Sequence, residues 1–309
     1  MRRLATALTL LLPGAAWAQD ATPDTAAELP IVGVPVEGAV GFQPAATELA
    51  RDLFWLDGFV SVIMFVVVVF VFGLLIWVMF RYNRIRNPQP ATFTHNSPVE
   101  IAWTIVPILI LVFIGAFSLP VLFEQQEIPE GDIRIQVTGY QWYWGYEYED
   151  EGIAFEQFML APEELEAEGY GPELYRLATN NPIVVPTGAT VVMGVTGADV
   201  IHSWTIPAFG VKQDAIPGRL AELWFSAERE GVYFGQCSEL CGKDHAYMPI
   251  TVHVVSPEAY QDWLVLNEGA SVAEAAAEDV PDAAEAPEEA AAVEAVEEAE
   301  GEDAEAPVE

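Results

Sequence analysis

The chain has 309 residues and a formal net charge of −35, from 47 acidic and 12 basic residues. A protein this acidic repels nucleic acid and favours basic partners, whose encounter rate its field raises. Its 52% apolar content is concentrated in segments that read as membrane-embedded, so it does not imply one large soluble core.

The first eighteen residues have the form of a secretory signal. Arg2 and Arg3 make the basic start, Leu4 to Leu12 the apolar stretch, and Ala16-Trp17-Ala18 a small-residue cleavage site that would leave Gln19 first. A short buried helix is the plain alternative, but the charged start and small-residue exit argue against it. Residues 19–53 read as a linker outside the cytoplasm, since Asp20 to Gln43 is rich in Pro, Gly, Ala and acid.

Two apolar runs follow. Phe59 to Phe80 has twenty-two residues without a charge, and Ile101 to Phe123 has twenty-three. Helices of that length cross a hydrocarbon core of about 30 Å. Residues 54–125 are therefore expected to form a transmembrane hairpin, with Pro107 and Pro120 placing local kinks in the second span. Arg81, Arg84 and Arg86 follow the first span and Glu100 is the only acid of the connecting loop, which puts that loop in the cytoplasm. Both ends of the mature chain and everything after residue 125 then lie outside. Ser97-Pro98-Val99-Glu100 reads as a capping box with Ser97 at the N-cap.

From 126 to 266 the pattern turns to β. Runs at Ile133–Tyr148, Ile183–Val185, Thr190–Thr196, Val200–Ile206, Leu220–Ser226, Val232–Phe234 and Ile250–Val255 are separated by turn chemistry such as Pro186-Thr187-Gly188 and Ile216-Pro217-Gly218. Seven or so short strands predict an all-β sandwich or Greek-key barrel. Ser256-Pro257-Glu258 starts a short helix. Residues 267–309 hold sixteen acids and no Lys or Arg, and are expected to be disordered. Without them the charge is still −19, so the β domain is acidic in its own right.

Both cysteines fall in Cys237-Ser238-Glu239-Leu240-Cys241-Gly242-Lys243-Asp244-His245-Ala246-Tyr247-Met248, and His202 lies upstream. Two cysteines in an exported chain more often form a disulfide. A disulfide, however, has no need of His245 and Met248 at those spacings. Zinc is disfavoured by the spacing and by Met. Soft sulfur and nitrogen donors suit copper, and the second cysteine is one sulfur too many for a mononuclear blue-copper site. The pattern favours two coppers bridged by two sulfurs, and with them electron transfer.

His202-Ser203-Trp204, Lys212 to Arg219, Gly235 to Gly242 and His245 to Pro249 resemble subunit II of bacterial haem–copper cytochrome c oxidase, of the α-proteobacterial and mitochondrial type. Gln141-Trp142-Tyr143-Trp144 and Val99 to Thr104 share the likeness, which runs from about Phe54 to Trp263. The resemblance implies a two-helix hairpin followed by a cupredoxin-like Greek-key sandwich. It implies that Cys237 and Cys241 bridge the binuclear copper A centre, with His202, His245, Met248 and the backbone carbonyl of Glu239 completing it. The Glu239 carboxylate would help bind a magnesium shared with subunit I, although a solvated loop acid is the plainer account of that residue. Trp142 would be the point where electrons enter, although Trp144 falls on the same face by alternation and packing alone could explain either. Glu147, Asp150 and Asp199 would help dock cytochrome c, though each alone could be a solvated charge. Glu100 would stand at the mouth of a proton path, a role compatible with capping. The acidic tail departs from the family's core pattern.

On that resemblance the chain takes electrons from cytochrome c and passes them to haem a of subunit I, where oxygen is reduced to water with proton pumping. Subunits I and III, membrane lipid and a separate cytochrome c are the implied partners, in a bacterial inner membrane. The chain has no C-x-x-C-H for a haem of its own. The rivals are a copper-free quinol oxidase subunit II and a membrane-anchored copper-binding module. The intact donor set opposes the first, and Trp142 with the Glu100 segment opposes the second.

Overall fold

The computed structural model describes residues 29–275. The expected signal segment at 1–18 and the tail from 276 onward lie outside the described residues. Two long helices are followed by a β-sandwich, as the patterning implied.

Helix α1 spans Glu48–Arg81 and α2 spans Ser97–Gln126, 34 and 30 residues, each longer than its uncharged run. At 1.5 Å per residue these are about 50 and 45 Å, so both project beyond a hydrocarbon core. Their flanks are largely exposed and apolar, as suits a surface facing lipid or another chain rather than water. Where the start of α1 meets the end of α2, Phe59 packs on Phe113 and Phe117 at ring separations of 5.7 and 5.2 Å, and Trp55 meets Phe117 at 6.0 Å. Aromatic contacts of this kind outweigh the area they bury. The cap of α2 corrects the expectation: Asn96, not Ser97, is the N-cap. Its side chain accepts from Val99 N at 3.3 Å, and Glu100 reaches back to accept from Asn96 N at 3.0 Å. Asn ranks with the best N-caps, and moving the cap back one residue leaves Pro98 in the first turn, where a missing N–H costs nothing.

The β strands are β1 Ile31–Gly33, β2 Ile133–Tyr140, β3 Tyr143–Tyr148, β4 Ile153–Gln157, β5 Ile183–Pro186, β6 Thr190–Gly197, β7 His202–Ile206, β8 Val211–Ala215, β9 Ala221–Ser226, β10 Gly231–Gln236 and β11 Pro249–Val255. One sheet has the order β4-β3-β2-β6-β9, the other β1-β10-β11-β5, and β7 pairs with β8 in a separate ribbon. β2 with β6, and β11 with β5, are parallel neighbours far apart in sequence, so the chain crosses repeatedly between sheets. The core between them holds Ile135, Val137, Trp144, Tyr146, Tyr148, Trp204, Phe209 and Phe225. β2 alternates buried and less buried residues, as a strand with one packed face must. β11 is buried throughout: Ile250, Val252 and Val254 join the main core, while Thr251 and His253 are covered by Gln157 and Tyr170, to which they hydrogen-bond.

Three departures from the sequence reading matter. The single run Ile133–Tyr148 is a hairpin, folded back at Gln141-Trp142, and β4 and β8 extend the strand set. The stretch that reads as a linker contributes β1, which pairs with β10, and Ala46, Leu49 and Ala50, which are buried. The last helix, α3 Pro257–Ala275, runs into the stretch expected to be disordered from 267.

The hairpin and the sandwich are joined by specific contacts. Thr47 caps α1 through Ala50 N and donates its hydroxyl proton to Phe209 O at 2.7 Å, while Ala46 N donates to Ala208 O at 2.8 Å. Gly210, with φ +69°, passes so near Ala50 that a Cβ there would stand 2.6 Å from its Cα. Arg51 holds Glu228 with two hydrogen bonds of 2.6 and 2.8 Å.

Candidate metal centre

β10 and β11 form an antiparallel pair whose last register is Gln236 with Pro249. The twelve residues from Cys237 to Met248 are the loop between them, so two strands of a packed sheet fix both loop ends. β7 lies beside this loop, and Ser238 N donates to Ser203 O at 3.0 Å. That contact brings His202, at the start of β7, to the cysteines.

The donors converge on one small space. The Sγ atoms of Cys237 and Cys241 are 3.8 Å apart, too far for a disulfide bond. Cys241 Sγ stands 3.4 Å from Met248 Sδ and 3.6 Å from His245 Nδ1. Cys237 Sγ stands 3.2 Å from the carbonyl oxygen of Glu239. His202 offers a ring nitrogen within 4.8 Å of both sulfurs. His202, Cys237 and Cys241 form one cluster, and His245, Met248 and the Glu239 carbonyl each stand beside one of its sulfurs. His202, Cys237, Cys241 and Met248 are buried, while the Glu239 side chain is exposed.

His202 shows what the space is for. Its Nε2 is bonded to Asp199 Oδ1 at 2.8 Å, whereas its Nδ1 is buried and has no hydrogen-bond partner. A buried ring nitrogen without a partner is costly in a protein interior unless something binds it. A carboxylate holding the far nitrogen of a metal-ligating imidazole is the usual support for such a ligand. A soft cation fits this set of two sulfurs, two imidazoles and a thioether; a hard, oxygen-seeking cation does not.

The electrostatics agree. Burial pushes the Cys237 thiol up, but the adjacent His202 imidazole and the backbone at Glu239 and Ser203 outweigh it and lower its pKa. Burial, followed by the neighbouring Cys237, pushes Cys241 up to about 12. Cys237 is thus the sulfur that gives up its proton more readily, as metal binding needs. Burial works against the proton of His202, yet Cys237 and Asp199 outweigh it and raise its pKa. Asp199 is lowered: burial opposes this, but bonds from His202, Val200 N and Gln141 N prevail.

Several neighbours were not foreseen. Gly139 on β2 leaves room for the His202 ring, since a Cβ there would lie 2.9 Å from ring carbons. An isolated glycine inside a β-branched, aromatic strand is the signal for such a close approach. Trp144 is fully buried, meets His202 edge-on at 5.9 Å and donates to Met248 O at 3.3 Å. Trp142 sits in the turn, half-buried, and its indole N–H donates to Cys241 O at 3.3 Å. The two tryptophans therefore part company, because the turn breaks the alternation that would have put them on one face.

Of the acids, Asp199 holds His202 while its side chain stays 35% exposed. Glu147 and Asp150 are exposed, but Asp150 lies in the turn at the far end of β3. Six strand residues at about 3.3 Å each put it about 20 Å from Trp142. The structure does not gather these three acids into one cluster. Glu100 is on α2, remote in the fold from the sulfur cluster, and is engaged in capping.

Comparison with known proteins agrees with this architecture. Residues 133–255 match the family model for the periplasmic domain of cytochrome c oxidase subunit II, and residues 35–121 match the model for its transmembrane domain. The chain belongs to the cytochrome c oxidase subunit II family. It is 58% identical over 278 residues to cytochrome c oxidase subunit 2 of Cereibacter sphaeroides, covering 85% of this chain and 92% of that one. The corresponding protein of Zea mays is 39% identical over 232 residues, covering 73% and 88%. A crystal structure of the periplasmic domain of subunit II from Bradyrhizobium japonicum matches 47% of this chain and 99% of that one, at 44% identity and a TM-score of 0.43. As a subunit II chain, it is a membrane-anchored part of an oxidoreductase complex, cytochrome c oxidase. Its periplasmic-type domain carries a copper-compatible site in which a role in accepting electrons is at home.

Proposed function

We infer that this subunit is where electrons enter the oxidase: it takes them from cytochrome c and hands them to haem a of subunit I for reduction of oxygen. The observation that carries this reading is the buried cluster of His202, Cys237 and Cys241, flanked by Met248, His245 and the Glu239 carbonyl, with a buried His202 Nδ1 that has no hydrogen-bond partner. Copper, when bound, supplies the one-electron redox chemistry. Cys237 and Cys241 would hold two coppers between them, with His202, His245, Met248 and the Glu239 carbonyl as the outer ligands. The β10–β11 hairpin and β7 keep those donors still, so little rearranges when charge changes.

Trp142 suits the role of receiving residue because its half-buried ring joins the surface to the Cys241 carbonyl through one hydrogen bond. Asp199, with Glu147 and Asp150 further off, gives the outer face the negative charge that a basic cytochrome c would follow. The exposed Glu239 carboxylate is free to share a magnesium with subunit I, and one carboxylate is a normal protein share for that ion. Glu100 caps α2 and would also present a carboxylate at the mouth of a proton path. Subunit III and lipid complete the surroundings of α1 and α2. The inner membrane, with the arginine-bearing loop inside and the β domain outside, is the placement that the charge asymmetry supports.

The test is copper content with electron paramagnetic resonance on the purified oxidase. Two coppers per subunit and a seven-line spectrum are expected. One copper with a four-line spectrum, or none after reduction and copper loading, would overturn the reading.

A further inference from the structure

We propose that Gln141 is a positioning residue for the copper centre, clasping the two segments that bring its ligands together. This rests on the binuclear copper reading above. His202 comes from β7 and the cysteines from the β10–β11 loop, and Gln141 is bonded towards both. Its backbone N–H donates to Asp199 Oδ2 at 2.8 Å, the carboxylate whose other oxygen holds His202. Its side-chain N–H donates to Cys241 O at 2.9 Å, across a sequence separation of 100 residues.

The Cys241 carbonyl thereby receives two donors, Gln141 Nε2 and Trp142 Nε1, which fills both of its lone pairs. The loop is shaped to allow it. Gly242 has φ +124°, and a Cβ there would lie 3.1 Å from Gln141 Nε2 and 3.1 Å from a Trp142 ring carbon. Only glycine at 242 keeps both donors in place. Gln141 is thus more than a turn amide satisfied by its neighbours: one residue spans the His202 side and the Cys241 side, and a glycine makes the space.

Hydrogen bonds around a ligating cysteine tune the potential of its metal. An N–H pointing at the Cys241 peptide favours the electron-rich, reduced centre, so its loss lowers the reduction potential. Gln141→Met keeps the length and shape of the side chain and removes the donor. Gln141→Arg removes the amide but keeps N–H donors.

The experiment is a potentiometric titration of the copper centre in the purified holo-oxidase, with electron paramagnetic resonance of the same samples. For Gln141→Met we expect retained copper, altered hyperfine splitting, and about a tenfold shift toward the oxidised form, which is about 59 mV for one electron. Gln141→Arg should return the potential to the wild-type value or above it. A wild-type potential and spectrum in Gln141→Met would overturn the proposal while leaving the copper reading intact. If Gln141→Met carries no copper, Gln141→Arg decides: copper-loaded it supports the clasp, and copper-free it overturns it. A wild-type enzyme without the two-copper spectrum would instead remove the reading on which the proposal stands.

Discussion

Asp199 holds His202 by Nε2, 2.8 Å from its carboxylate, and so turns the buried Nδ1 toward the sulfurs of Cys237 and Cys241. Two residues separate the pair, and neither is placed by the other alone: Asp199 is itself fixed by Gln141 N and Val200 N. A prediction follows for Asp199→Asn. The amide keeps the size but loses the charge that orients and strengthens the imidazole, so copper affinity should drop about 10–100-fold. Competition with a chelator of known affinity, on the purified oxidase, measures it directly. Unchanged affinity would mean that the His202 ring needs no such support.

Gly139→Ala should damage the same ligand from the opposite side. Its Cβ would stand 2.9 Å from the His202 ring, between a central strand and a fully buried imidazole. Neither wall is a flexible side-chain end, so overpacking of about 1–3 kcal/mol is expected. Copper per subunit should fall together with the thermal midpoint of the full chain. A variant with normal copper and normal midpoint would show that the ring has slack.

His253 gives a pH dependence away from the metal. It is buried on β11, paired with Tyr170 Oη at 3.0 Å, and burial pushes its pKa down to about 4. An unfolded histidine takes up its proton near 6.5, so between about 6.5 and 4 the unfolded chain binds the extra proton. Stability is full above that window and falls as the pH drops through it, by about 3 kcal/mol in total, then levels off. Denaturant midpoints at pH 7 and pH 4.5 should therefore differ more for the wild type than for His253→Gln. Equal differences for the two would rule out this histidine as the source.

The contacts between α1 and the sandwich rank in a way that exposure decides. Arg51 and Glu228 make a two-bond ion pair, but their side chains are 50% and 46% exposed, so solvent screens it and Arg51→Gln should cost little. Gly210→Ala forces an alanine to φ +69° and drives its Cβ to 2.6 Å from Ala50 Cα. The left-handed backbone alone costs about 1–2 kcal/mol, before the clash. Thermal midpoints of the two variants in detergent should show Gly210→Ala as the more damaging. The reverse order would mean that the ion pair, not the close backbone contact, fastens the helix.

Much of this was legible in the chain itself, and the exceptions have physical causes. Phe59 to Phe80 and Ile101 to Phe123 declare spans because only a membrane tolerates so many uncharged residues in line. The loop from Cys237 to Met248 declares a soft-metal site because its donor types have few other uses so close together. The β2–β3 hairpin was hidden because Gln141-Trp142 carries none of the Gly, Pro or Asn that ordinarily marks a turn. β1 was hidden because three residues in a Pro- and Gly-rich stretch have no periodicity to read; its partner, β10, supplies the order. The Asp199 role was hidden because a carboxylate three residues before a histidine looks like any surface acid until the strand turns the ring toward it. The cap lies one residue earlier than the pattern suggests, since Asn96 and Ser97 are both good caps and the bonds from Val99 N to the Asn96 side chain and from Asn96 N to Glu100 decide between them.

The pairing of β1 with β10 constrains how the chain can be threaded. β1 precedes the first span and β10 follows the second, yet Ile31 and Gly33 register with Val232 and Tyr233, and Val232 N donates to Pro30 O at 2.9 Å. A sheet cannot be stitched through a bilayer, so this seam closes only when an even number of crossings separates the two strands. If either span failed to insert, the strand that leads into Cys237 would keep a bare edge. The strand that delivers the first sulfur is therefore fully paired only in a chain whose two apolar helices lie between β1 and β10 as a returning pair.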